Sequence, residues 1–269
     1  MWSHERQSKI LEYLSQEGKV ETNRLAEVFD VSRETIRRDL LDLDQRGTLV
    51  RVHGGAVTSD KVILPEPAFS DRLVENAEAK RAIGRRAAAL IEPGSTIFID
   101  AGTTTLAFAH ELEQDRDLRV ITNSIEIAQV LAARSGIDML LLGGKPHGDV
   151  PATFGELTLS EIDRFLADYA VISPVGIDPS RGATDYELHE AEVARKMIRC
   201  ARRCMMLCVS SKIGTESRVA ICRTGEIDQL ITDTGADPAF ELPSGEVVRV
   251  PVAETEAQRL ARRRSSAET

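Results

Sequence analysis

No stretch of this 269-residue chain stays apolar for the about 18 residues that a membrane helix needs. The start, Met1-Trp2-Ser3-His4-Glu5-Arg6, lacks the apolar run of a secretory leader. The expectation is a cytoplasmic protein with no membrane partner. Cysteine is sparse: Cys200, Cys204, Cys208 and Cys222 are the whole set. The first three recur at every fourth residue, which suggests a metal site. However, Cys204 and Cys208 straddle Met205-Met206-Leu207, the entry to a buried strand, and alternation there aims them differently from Cys200 on the preceding helix. Free, partly buried thiols are expected, with no metal, disulfide or cofactor. Excess positive charge is also missing. The formal net charge is −9, and residues 1–57 carry 9 Lys and Arg against 10 Asp and Glu. Nucleic-acid binding therefore requires basic residues clustered locally on an acidic body.

What is present suits one small and one medium domain, since 42% of residues are hydrophobic. Residues 4–17 predict a helix with Ile10, Leu11 and Leu14 inward, ended by Gly18. Thr22 is placed to cap a second helix with Leu25, Ala26 and Phe29 on its core face. Asp30-Val31-Ser32 turns into a third helix that runs to about Arg46-Gly47. Ser32 suits its N-cap, and Ile36, Leu40 and Leu43 form one apolar stripe. Arg33, Glu34, Thr35, Arg37 and Arg38 lie outside that stripe. They offer guanidinium forks, a hydroxyl and a carboxylate, which suits major-groove readout. A salt-laced surface helix is the plainer alternative, because Glu34 and Asp42 lie one turn from the arginines. Thr48–Val52 and the following His53-Gly54-Gly55-Ala56-Val57 predict a hairpin, hence a winged helix-turn-helix. Arg51, His53 and Gly54 are candidates for backbone or minor-groove contact.

Residues 58–79 are assigned to a linker, marked by Pro65 and Pro67, and the start of a connecting helix over Phe69–Ile91 with Lys80, Arg81, Arg85 and Arg86 on its polar side. Strands are predicted at Thr96–Asp100, Arg119–Thr122, Met139–Leu142, Ala170–Ser173, Cys204–Val209 and Gln229–Thr232. Helices are predicted at Thr104–Leu112, Ser124–Ala133, Glu156–Phe165 and Glu187–Ala201. This alternation implies an α/β domain over 80–251 with a mostly parallel sheet and a ligand site at the strands' carboxyl ends. The pattern fades from Gly235, and 252–269, with Arg262-Arg263-Arg264, is expected to be a frayed tail.

Asp100-Ala101-Gly102-Thr103-Thr104-Thr105 leaves the first of these strands and starts a helix. Free amides, hydroxyls and the positive helix end favour a phosphate there, although Ser/Thr at a helix start is most often only a cap. The same position recurs as Thr122-Asn123-Ser124, Gly143-Gly144-Lys145, Pro174-Val175-Gly176 and Ser210-Ser211-Lys212. Five such strand ends are expected to converge on one crevice.

Two stretches carry a family resemblance. Ser32-x-x-Thr35-Ile36-Arg37-Arg38-Asp39-Leu40, with Gly47 and Arg51-x-His53-Gly54-Gly55-Ala56, resembles the DeoR family of bacterial transcriptional regulators. Leu142-Gly143-Gly144, Gly176-Ile177-Asp178 and His189-Glu190-Ala191 resemble that family's C-terminal domain, whose fold is similar to ribose-5-phosphate isomerase. The resemblance implies effector binding by Asp100, Gly102, Thr103, Thr104, Asn123, Gly143, Gly144, Gly176, Glu190 and Lys212, to which the third strand end adds Lys145. Asp100 and Glu190 then accept from sugar hydroxyls, and Lys212 pairs with phosphate or a hydroxyl. The chain departs from the family pattern at Tyr169, Ala194 and Val209. Asp185-Tyr186 before His189-Glu190 leans toward the glycerol-3-phosphate repressor branch.

The function implied is a homo-oligomeric transcriptional repressor that binds double-stranded operator DNA under the control of a phosphorylated sugar or polyol. An isomerase-type enzyme with an N-terminal extension, using Asp100, Glu190 and Lys212 for proton transfer, is the alternative. A protein-interaction role for the helix-turn-helix is a third reading. On the leading reading the chain has no catalytic residues.

Overall fold

The computed structural model describes residues 3–57, 66–114, 116–146 and 149–252; the stretch 58–65 and nearly all of the arginine-bearing tail lie outside them. The chain divides into two compact units at Pro65/Glu66, and each is taken by itself.

The first unit runs α1 (Ser3–Glu17), β1 (Lys19–Glu21), α2 (Thr22–Phe29), α3 (Arg33–Gln45), β2 (Val50–Val52) and β3 (Gly55–Val57). Ile10 and Leu14 of α1, Leu25 and Ala26 of α2, and Ile36, Leu40 and Leu43 of α3 meet in one small core. Apolar periodicity gives no sign of β1, because only Val20 of its three residues faces inward. β1 joins the hairpin as an antiparallel sheet of order β1-β3-β2. It also displaces the expected cap. Glu21, not Thr22, precedes α2, and the Thr22 amide donates to the Gly54 carbonyl at 2.8 Å. Gly55 is required where β3 crosses β1, since a Cβ there would sit 1.9 Å from the Val20 carbonyl oxygen.

The inward face of α3 carries one charge among its leucines. Asp39 is buried and accepts two hydrogen bonds from the Arg6 guanidinium of α1, from Nε to Oδ2 and from Nη2 to Oδ1 at 3.1 Å. Both side chains are almost wholly out of solvent. Such a pair adds little net stability over an apolar replacement, but losing one partner strands the other charge.

The second unit begins with α4 (Phe69–Val74) and α5 (Ala77–Leu90). The single helix expected over 69–91 is broken: Glu75 is extended and Asn76 takes the left-handed conformation (φ 53°) that Asn tolerates better than most residues. Then follow β4 (Thr96–Ile99), α6 (Thr103–Glu111), β5 (Leu118–Thr122), α7 (Ile125–Ala132), β6 (Ile137–Leu141), β7 (Lys145–Pro146), β8 (Thr153–Phe154) and α8 (Glu156–Ile162). The chain continues through β9 (Ala167–Ile172), β10 (Gly176–Asp178), β11 (Gly182–Asp185), α9 (Leu188–Arg199), β12 (Ala201–Leu207), β13 (Val219–Cys222), β14 (Gln229–Asp233) and β15 (Glu246–Val250).

Seven strands form a wholly parallel sheet of order β15-β14-β12-β9-β4-β5-β6. Its central strands are apolar on both faces: Ile97, Phe98 and Ile99 of β4 and Ala170, Val171 and Ile172 of β9 are all solvent-free. The chain lays down β4, β5 and β6 in one direction and β9, β12, β14 and β15 in the other, so the strand order reverses between β4 and β9. A crevice at such a reversal is where ligands bind in open parallel sheets. β15, in the region where the sequence pattern fades, is an edge strand with Val247 and Val248 only half-buried. The small antiparallel sheet β10-β11-β13 is also absent from the sequence expectations, because its strands are three or four residues long. Cys204, Cys208 and Cys222 are buried and Cys200 half-buried, all as free thiols. Among the described residues no cluster is arranged to hold a metal ion, and no helix is long and apolar enough to cross a membrane.

Asp39→Ala leaves the Arg6 charge buried without its partner. The expected cost is about 3–5 kcal/mol in the opening free energy of the most protected α1 and α3 amides, read by native-state hydrogen exchange, with β4 and β9 unaffected. A change below about 1 kcal/mol means that the pair is solvated like a surface bridge.

Candidate functional site

On α3, Ser32 is the N-cap. Its Oγ accepts from the Thr35 amide at 3.1 Å and lies 2.8 Å from the Thr35 hydroxyl. Arg33, Glu34, Arg37 and Arg38 are exposed. Glu34 reaches both arginines, at 3.8 Å to Arg37 and 3.7 Å to Arg38. Exposed pairs of this kind are worth only about 0.2–1 kcal/mol, so an outside acceptor readily replaces the carboxylate. The outward residues border two clefts. Arg33, Arg37, Arg51, His53 and Gly54 line a cleft of about 420 Å³ between α3 and the hairpin. Ser32, Glu34, Thr35 and Arg38 line a second, of about 440 Å³, beside Arg6. Gly54 holds the hairpin tip at φ +86° with open space where a Cβ would point, so the backbone there is free to approach a partner closely.

In the second unit, strand register sets the site. Ile99 pairs with Thr122 on one side and Val171 on the other, so the loops after β4, β5 and β9 leave the same edge. Asp100 is buried there and accepts from the Ala101 amide at 2.8 Å. Thr103 and Thr104 are buried in the first turn of α6, which no side chain caps. Asn123 is solvent-free; its Nδ2 donates to the Thr153 carbonyl at 3.2 Å, and its Oδ1 has no hydrogen-bond partner among the described residues. Lys212 ends the loop after β12, which Asp233 clamps by accepting from the Ser210 amide (2.7 Å) and hydroxyl (2.6 Å). The Lys212 ammonium donates to the Pro174 carbonyl after β9 at 3.3 Å and to Glu66 at 3.0 Å.

Some strand ends also carry internal contacts of their own. The Gly143 amide donates to Glu161 at 2.6 Å and its carbonyl accepts from the Thr158 hydroxyl at 2.7 Å, so both backbone groups are occupied. Gly144 (φ +145°) and Gly176 are required by packing: a Cβ would lie 2.2 Å from the Thr158 hydroxyl in one case and 2.5 Å from that of Thr215 in the other. Gly102 is extended backbone that other residues adopt, and Lys145 is exposed on β7.

Three carboxyls gather at the reversal point. Burial, then the nearby charges of Asp185 and Glu190, hold the Asp100 carboxyl well above the usual range. Burial pushes Asp185 to about 6, against the amides of Glu187 and Tyr186 that its carboxylate accepts from. Glu190, in the first turn of α9, is pushed to about 8 by burial and by Asp185 and Glu66, eased by Arg72. At neutral pH Glu190 is therefore largely protonated, able to donate as well as accept. Cations lie within electrostatic reach of these carboxyls: Lys212 acts on Asp185 and Arg72 on Glu190. Lys80 is buried and donates to the Arg72 carbonyl near the end of α4, which corrects its expected place on a polar helix face. Burial and the neighbouring Lys212 lower its pKa to about 8. Asp185, Glu66, Arg72 and Lys80 were not singled out from sequence as site residues. A signal for Lys80 exists in its register with the inward Ile83, Gly84 and Ala87.

Comparison with known proteins gives the same two-part division. Residues 6–62 match the family described as DeoR-like helix-turn-helix domain, and residues 75–234 match the DeoR C terminal sensor domain. The chain is 37% identical over 240 residues to the HTH-type transcriptional repressor GlcR of Bacillus subtilis, covering 89% of this chain and 92% of that protein. It is 35% identical over 230 residues to the glycerol-3-phosphate regulon repressor of Escherichia coli, covering 85% and 90%. Among solved structures, ribose 5-phosphate isomerase A from Methanocaldococcus jannaschii aligns with 52% of this chain and 55% of its own at 16% identity and a TM-score of 0.38. Tyr169, Ala194 and Val209, where the chain departs from the family pattern, all lie in the sensor unit's core.

The raised Glu190 carboxyl links stability to pH. A folded-state pKa above the ordinary 4.5 means that its contribution is complete below pH 4.5 and is lost as pH rises toward about 8. Glu190→Gln removes that loss. Its melting temperature gains on the parent's between these pH values and runs level with a constant lead above them. Parallel melting curves across pH 4–9 contradict the assignment.

Proposed function

This chain belongs to the DeoR family and is a DNA-binding transcriptional repressor, and from that premise we propose that a phosphorylated sugar or polyol, bound at the β4/β9 reversal, controls its grip on operator DNA. The observation that carries the effector reading is the polarity of the crevice. Two sets of groups share one electrostatic neighbourhood there, the cations Lys212, Arg72 and Lys80 and the protonatable carboxyls Asp100, Asp185 and Glu190. An anionic phosphate suits the first group together with the uncapped amides of Thr103 and Thr104. Hydroxyls suit the second, with the Asn123 Oδ1 as a further acceptor. The relative named for the glycerol-3-phosphate regulon fits a small polyol phosphate.

At the front, Arg37 reads a base edge in the major groove, with Arg33, Arg38, Glu34 and Thr35 beside it, while Arg51, His53 and Gly54 follow the backbone. Operators with two half-sites call for a homo-oligomer, acting in the cytoplasm. The sensor unit works as a receptor: a phosphate pocket does not require a base placed against a substrate carbon.

Arg37→Ala costs about 1–3 kcal/mol on the cognate upstream duplex and relaxes base preference, with little change on a scrambled duplex. An equal loss on both duplexes makes Arg37 a phosphate contact instead. A thermal-shift screen with phosphorylated sugars and polyols raises the apparent stability of the parent chain, and Thr104→Ala and Lys212→Ala each blunt the shift. An unchanged shift in both variants places the pocket elsewhere, and turnover of a pentose phosphate by the pure protein overturns the receptor reading.

A further inference from the structure

Glu66 is the first described residue of the sensor unit, and eight residues of sequence separate it from Val57, the last described residue of the DNA-binding unit. Its carboxylate is bound on both oxygens. Oε1 accepts from the Lys212 ammonium at 3.0 Å, and Oε2 lies 2.5 Å from Nη1 of Arg72. The Glu66 and Arg72 side chains are 15% and 10% exposed. This is a charge-assisted clamp on a poorly solvated anion, the environment in which an ion pair is strongest.

The cations outnumber the carboxylate they hold. Lys80 stands behind Arg72, donating to its carbonyl, and Arg72 keeps a buried Nε–H with no acceptor among the described residues. Glu66 thus gives both carboxylate oxygens to this cationic group, with Asp185 and Glu75 within electrostatic reach of Lys212 and Lys80, and leaves one guanidinium donor of Arg72 unused. A phosphate monoester brings a charge of about −1.5 to −2 and three acceptor oxygens, so it satisfies the same donors more completely than a carboxylate does. Glu66 also sits within electrostatic reach of Asp185 and Glu190, where its charge opposes their ionisation. Its position is therefore inside the effector crevice, not on a remote surface.

We propose that Glu66 is a built-in stand-in for the effector's anionic group: the phosphorylated ligand displaces its carboxylate from Lys212 and Arg72, and that displacement releases Glu66 at the N-terminal end of the sensor unit. The proposal rests on the effector reading above. It adds Arg72 to the ligand-binding set and identifies the released contact through which occupancy changes operator affinity. With ligand absent, the Glu66 clamp holds the N-terminal edge of the sensor in one state. With ligand present, the same cations serve the phosphate and residue 66 is released. The two states differ by a specific exchange of partners, which a ligand must bring about if it is to shift an equilibrium.

The test uses the full chain and isothermal titration with inorganic phosphate and glycerol 3-phosphate as probes. Glu66→Gln keeps the shape and removes the competing charge, with hydrogen-exchange protection of β4 and β9 confirming the fold. Binding of at least one probe is expected to tighten about tenfold, and the ligand-free variant is expected to hold operator DNA as weakly as the ligand-saturated parent. Unchanged or weaker probe binding by Glu66→Gln, with the parent binding normally, overturns the competition and leaves the effector site standing. No binding of either probe by parent or variant at millimolar concentration overturns the effector site and the competition together.

Discussion

Charge taken out of water has to be neutralised by a partner, by a proton or by a ligand, and the sensor unit is arranged around that requirement. A parallel sheet covered on both faces leaves its carboxyl edge as the open side, and this chain collects its buried ionisable groups along that edge. Glu190 meets the requirement by holding a proton, and burial drives the Asp100 carboxyl in the same direction. Lys212 and Arg72 meet it through Glu66. Lys80 meets it through a backbone carbonyl and a lowered pKa. Acids and cations thus share one electrostatic neighbourhood in the sensor unit.

The DNA-binding unit applies the same constraint for a different purpose. Arg6 and Asp39 pair inside a core of about ten apolar residues, and this fixes how α3 lies against α1. With the inward charge satisfied, the outward arginines remain loosely held by Glu34 and exposed. On α3 the Asp39 carboxylate is therefore structural, while that of Glu34 screens the exposed guanidinium groups.

The long elements are legible in the sequence because their patterns are local. The apolar stripe of α3 and the short apolar runs at β4, β5, β9, β12 and β14 each signal their own burial, and the turns after β4 and β12 carry Thr103, Thr104 and Lys212 at the strand ends. What stays hidden depends on distant partners or on very short elements. β15 is half-buried at an edge, and β10, β11 and β13 are too brief for a period to show. Asp39 pairs with Arg6, 33 residues earlier, and Glu66 with Lys212, 146 residues later, as well as with Arg72. Lys80 is read as solvent-facing from its charge, although its helical register already places it inward. The glycines after β6 and in β10 resemble ligand-binding turns but are fixed by neighbouring side chains.

A repressor of this design works only if the crevice and the recognition helix share one free-energy coupling. That coupling is measured directly by titrating operator DNA against the full chain with and without a saturating phosphorylated ligand, then titrating the ligand with and without operator. The expected result is a change in operator affinity of about 5–150-fold, with a reciprocal change of the same factor in ligand affinity. A ligand that binds the crevice tightly and leaves operator affinity unmoved contradicts the coupling.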